Sequence, residues 1–152
     1  MADTVTTKYL HPPNWDGNFP DDQSHGYKRV IARFTNVSDG TGEVNVRKIR
    51  LADWRCSNGA VPTRSVVEWI QYNMAGMGVK IEWDRSPPSM IGIVHGGSFT
   101  AGSGTIDFTE VGGGLVDDGE AGDGTGDILF TTLLHTAGDS YDITMSLRFK
   151  ES

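Results

Sequence analysis

One cysteine, Cys56, stands in 152 residues, so no internal disulfide can staple the fold, and packing has to hold it. No apolar run approaches the ~20 residues that a helix needs to cross a bilayer. The opening "MADTVTTKYLHPPNWDG" has neither the charged start nor the apolar middle of a secretory signal. These absences give the expectation of a soluble protein made in a cytoplasm. Residues 86–147 lack lysine and arginine altogether while carrying nine acids, whereas residues 27–85 carry ten bases against six acids. Such segregation predicts either two charged poles or a subunit that meets its neighbour head to tail, unless strands from the two stretches interleave and mix the signs. With a net charge of −7 and acids among the bases, a phosphate-rich partner such as nucleic acid is not expected.

Catalytic constellations are equally scarce. There is no Gly-Lys pair, so no Walker loop, and no G-x-G-x-x-G fingerprint. His11, His25, His95 and His135 share no metal-ligand spacing, and Cys56 in "WRCSNG" has a basic neighbour, Arg55, but no nearby histidine to act as its base. Glu82 and Asp84 in "KIEWDR" fall on one strand face, yet a glycosidase draws its two carboxyls from separate elements, so this pair reads as a strand end facing water. No catalytic, cofactor-binding or metal-binding residue is assigned, and the chain is read as non-enzymatic. Trp15, Trp54, Trp69 and Trp83 could form a sugar-stacking platform, which leaves a carbohydrate-binding module as one alternative; tryptophans of a small sandwich more commonly anchor its core.

One motif is abundant rather than absent. "VGGGLVDDGEAGDGTGD", residues 111–127, holds seven glycines and five acids and no base. Its carboxylates would repel a phosphate. Asp117, Asp118, Glu120, Asp123 and Asp127 are suitable calcium donors, but their spacing is not that of a helix-loop-helix site. The stretch reads as a solvated connection between strands, mobile and dispensable for folding, with calcium as the alternative.

Twenty glycines favour tight turns, and the apolar residues alternate with period two. Val30, Ala32 and Phe34 share one face of "YKRVIARFTN", and Val44 and Val46 point inward in "EVNVRKIRL". In "SVVEWIQYNM", residues 65–74, valines and aromatics favour a strand that "AGMG" turns into a hairpin with "VKIEWD"; a helix stopping at Gly76 is the alternative. "SMIGIVH", "GTIDFTEV", "DILFTTLLH" and "SYDITMSLRF" follow, the last alternating cleanly from Tyr141 to Phe149. The expectation is an all-β protein, an antiparallel β-sandwich or jelly roll of seven to eight short strands over residues 27–152, with at most one short helix. Residues 1–26 form an extended N-terminal arm. Pro12, Pro13 and Pro20 exclude a helix there, while Tyr9, Leu10, Trp15 and Phe19 are too apolar for a solvated tail. Those four residues are the candidate partner contacts, with docking on the arm's own domain as the alternative.

The stretches "FTNVSDGTGE", "VKIEWD" and "GTGDILFTT…GDSYDITMSLRFK" together resemble a group of small tailed-bacteriophage proteins in which these patterns recur in the same order. The resemblance spans about residues 30–150 and leaves the arm uncovered. It implies a structural component of a phage particle, a virion protein made in the host cytoplasm; a glycine-rich sandwich with an arm and no active site makes a capsid decoration or cement protein the first expectation. The expected partners on that reading are the major capsid protein and copies of itself, as a homotrimer, with no nucleic acid, membrane, small-molecule substrate or cofactor. A tail or head-tail adaptor protein is the alternative that it allows.

Overall fold

Alternation builds this molecule. The computed structural model describes residues 3–11, 29–54, 60–95, 101–110, 113–119 and 123–150, and within them lie ten strands, of which those over 29–37 and 140–150 alternate most clearly between buried and more exposed side chains. In chain order these are β1 (Thr4–His11), β2 (Arg29–Val37), β3 (Val46–Ile49), β4 (Arg64–Ala75), β5 (Gly78–Trp83), β6 (Ser89–His95), β7 (Ala101–Asp107), β8 (Leu115–Val116), β9 (Ile128–Leu133) and β10 (Ser140–Lys150). One turn of 3₁₀ helix, Leu51–Asp53, is the sole helical element among the described residues. The 65–74 stretch is strand.

Every pairing is antiparallel. The first sheet runs β1-β2-β10-β4-β7, with β8 also bonded to β4, and the second runs β3-β9-β5-β6. Without β1 and β8, the remaining eight strands lie in the order 2-10-4-7 against 3-9-5-6. Consecutive members of that set change sheet at every connection except β5 to β6. This is the double Greek-key order of a jelly roll. β1 extends the first sheet beyond β2, in register from Thr4 opposite Val37 to Tyr9 opposite Ala32.

The two inner faces supply the core. Val30, Ala32 and Phe34 of β2 and Tyr141, Ile143, Met145 and Leu147 of β10 are almost fully buried. They face Val79, Ile81 and Trp83 of β5 and Ile128 and Phe130 of β9, and the Phe34 and Phe130 rings meet edge to face at 5.2 Å.

Three expectations are corrected. The "AGMG" link does not close a hairpin. It carries the chain from β4 in one sheet to β5 in the other, with Gly76 at φ +80° and Met77 buried beneath the corner. Val44 and Val46 do not point inward; they are 75% and 37% exposed. Asn45 takes φ +50° between them, and a register shift between Arg47 and Ile49 sends Ile49 into the core instead. The strand count exceeds eight because β1 and β8 add to the jelly roll.

Candidate interaction surface

The acidic glycine-rich stretch is held from within. Asp117 is fully buried and grips Arg85, whose Nη2 donates to Asp117 Oδ2 at 2.6 Å and to the Thr63 carbonyl at 2.8 Å. Arg85 Nη1 reaches the carbonyls of Asp123 and Gly124 at 3.4 Å each. A Cβ on Gly119, Gly124 or Gly126 would collide with Arg85 or the adjoining Asp84 backbone, and the last two glycines take φ +94° and +76°. Glycine is therefore required there by close approach as well as by backbone angle. The described parts of the loop form a sleeve around one arginine, not the solvated connection that composition suggests.

Asp127 is the second buried acid. It accepts from the Leu51 amide at 2.8 Å and from Arg47 Nη1 at 2.7 Å. Arg47 also binds Asp84, whose carboxyl is held below its usual range mainly by the Thr125 hydroxyl, against the opposing effect of burial, and then by Arg47. Asp84 and Glu82 are thus not a strand end facing water: Glu82 is buried beside Lys80 at 3.4 Å. Arg33–Asp142 at 2.6 Å, Arg47–Asp127 and Arg85–Asp117 pair bases of residues 27–85 with acids of residues 86–147. The signs interleave. A cleft of about 410 Å³ opens beside this cluster, with Arg47, Arg50, Leu51, Val61 and Asp127 among its walls.

Of the four arm residues, Tyr9 and Leu10 lie on β1, while Trp15 and Phe19 lie outside the described residues, as do His25 and Cys56. Tyr9 is half-buried and packs edge to face on Trp54 at 5.6 Å, which in turn stacks on Phe149 at 5.4 Å. Burial, helped by Asp53, pushes its phenol up to about 12. Leu10 is turned out, 45% exposed. Asp3, just before β1, accepts from the Asp39 amide at 3.1 Å, the Gly42 amide at 3.2 Å and Asn36 Nδ2 at 3.1 Å. Burial raises its carboxyl, but these bonds together outweigh it and leave the group below its usual range.

A buried polar cluster went unread in the sequence. Glu43 accepts from Lys48 Nζ at 2.5 Å, from the Tyr141 hydroxyl at 2.5 Å and from Asn36 Nδ2 at 2.9 Å. The signal was available: Asn36 continues the inward row Val30, Ala32, Phe34 and should itself point inward. On the outer side of the first sheet, Glu68 forms a two-bond pair with Arg29 at 2.6 and 2.9 Å and accepts from Ser146 at 3.0 Å.

The tryptophans do not make a platform: Trp54 and Trp83 are 1% exposed, and Trp69 alone of the described three reaches the surface. No three His, Cys, Asp or Glu side chains among the described residues converge as a metal-binding group. What the surface does offer is apolar side chains at sheet edges. Val5 and Leu10 are exposed on β1, and Met90 and Ile93, 48% and 52% exposed, on β6. No protein-family model matches the chain, and no curated protein is similar to it.

Proposed function

We propose that the protein is a non-enzymatic structural component of a bacteriophage particle, a capsid decoration or cement protein that stabilises the head by contacts repeated over its lattice. One observation carries the reading beyond the resemblance of its sequence stretches. Edge strands β1 and β6, at opposite sheets, each present exposed apolar side chains, where a monomer ordinarily places charge, proline or a cover. Two such edges suit a subunit that touches more than one neighbour, and modest contacts multiplied by a lattice give a large total. The jelly roll is compatible, being used by viral capsid domains and also by lectins and cupins, so it supports the reading by analogy only.

The stretches that carry the resemblance hold the scaffold together. Asn36 and Glu43 belong to "FTNVSDGTGE", Glu82 and Asp84 to "VKIEWD", and Asp127 and Tyr141 to the last stretch, and each makes one of the ion pairs or hydrogen bonds described above.

The test is the mass of the purified protein in solution, followed by sedimentation with empty capsids. A homotrimer that co-sediments is the expected result. A larger closed ring that does not bind the head surface favours an adaptor, and a monomer retained on immobilised polysaccharide favours a sugar-binding module; either overturns the decoration reading.

A further inference from the structure

Asn36, Glu43 and Lys48 form one buried hydrogen-bonded group. Asn36 is 1% exposed, Glu43 6% and the Lys48 side chain 4%. One carboxylate joins the other two: Oε2 takes the lysine amine at 2.5 Å, and Oε1 takes the asparagine amide nitrogen at 2.9 Å. The Phe130 ring lies 5.8 Å from the amine, and Tyr141 closes the same side with its hydroxyl on Glu43. The Asn36 carbonyl oxygen is buried and accepts no hydrogen bond among the described residues. A buried unpartnered acceptor is costly, and a buried lysine–glutamate pair adds little stability that apolar packing could not match. The arrangement has a chemical use that its energetics alone do not supply.

We propose that Lys48 and Asn36 join in an intramolecular isopeptide bond, with Glu43 as the proton carrier. The Lys48 ammonium first passes a proton to Glu43 across their contact, leaving a neutral amine and a neutral acid. The amine lone pair attacks Cγ of Asn36, and negative charge develops on its carbonyl oxygen. The tetrahedral carbon then expels the amide nitrogen, which takes the proton from Glu43, to which it is already hydrogen-bonded. Glu43 recovers the second amine proton as the new amide settles. One C–N bond forms, one C–N bond breaks and ammonia leaves, with no oxidant or reductant required. Fixing amine, acid and amide on one carboxylate removes the entropy cost of bringing them together. Asn36 lies next to the end of β2 in the first sheet and Lys48 lies on β3 in the second, so the bond would staple the two sheets across their first connection.

Intact mass spectrometry of the folded, purified chain tests this directly. The expected chain is lighter than its sequence by one ammonia. Its tryptic digest should show no cleavage after Lys48 and a branched peptide linking the segment that contains Asn36 to the segment that begins at Lys48. Glu43→Gln should retain the full mass and be cut after Lys48. A wild-type chain of full mass after prolonged incubation overturns the proposal, as does an ammonia loss that maps to Asn58–Gly59 instead. A cross-link that persists in Glu43→Gln overturns the role given to Glu43. The wild-type measurement decides the bond even if that variant does not fold.

Discussion

Arg85 is buried by a stretch that looks, by composition, like open loop. Its partner Asp117 is fully buried, so removing either group strands the other charge away from water. Arg85→Ala or Asp117→Asn is expected to cost roughly 3–5 kcal/mol in urea unfolding, whereas Asp118→Asn, one position along and exposed, should stay within about 0.5 kcal/mol. A loop dispensable for folding would give equal, small effects at both positions. Tyr9 offers a second reading at this scale. Its phenol should titrate near 12 by ultraviolet difference spectroscopy, against about 10 in the unfolded chain. The folded pKa is raised, so this contribution to stability is complete below about pH 10 and fades as the pH climbs toward 12. A midpoint near 10 would mean that β1 does not rest on Trp54. Some of these residues could have been read from the sequence and some could not. Asn36 betrays itself by falling in an inward row of apolar residues. Arg85 does not, because its acid lies 32 positions away and only the folded chain brings them together.

Among the elements, those with uninterrupted alternation were legible. β10 keeps the pattern from Tyr141 to Phe149, and β2 keeps it from Val30 to Phe34. β3 departs from its period because a positive φ at Asn45 and a register shift move its inward face by one residue, and period two gives no warning of either. The β4–β5 link departs from expectation for another reason: a short glycine-containing turn serves a hairpin and a change of sheet equally well, and its length does not discriminate. β1 separates cis packing from outward contact within one strand. Tyr9→Ala should lower stability by about 2 kcal/mol, less than the loss of a fully buried aromatic, and Leu10→Ser should change it by under about 0.5 kcal/mol while weakening self-association or capsid binding. If Leu10→Ser destabilises the domain and leaves assembly intact, the exposed edge is not the contact.

For the whole molecule, the fold class was legible and the charge map was not. Alternation and turn residues are local and survive in the sequence, whereas the pairing of Arg33 with Asp142 or Arg85 with Asp117 depends on which strands become neighbours. Hydrogen bonds to carboxylates, more than ion pairs, set an acid limit on the fold. Asp3, Asp84 and Asp107 are all held below the usual carboxylate range, so their contribution is present above about pH 4 and is lost as the pH falls through their lower folded values. Thermal melts should be flat from neutrality down to about pH 5 and fall steeply below about pH 4. A melting temperature unchanged at pH 3 would contradict that linkage.

The place of β10 has a consequence for how the protein is made. It sits between β2 and β4, paired with β2 from Ser140 to Arg148 and with β4 from Ser140 to Lys150 across one register shift, so the centre of the first sheet is filled by its last strand. During translation β2 and β4 emerge with their facing edges unsatisfied, and they stay so until Lys150 has left the ribosome tunnel. Nascent chains halted before Ser140 should therefore remain sensitive to protease and be held by chaperones, while chains carried past Lys150 close in a single step.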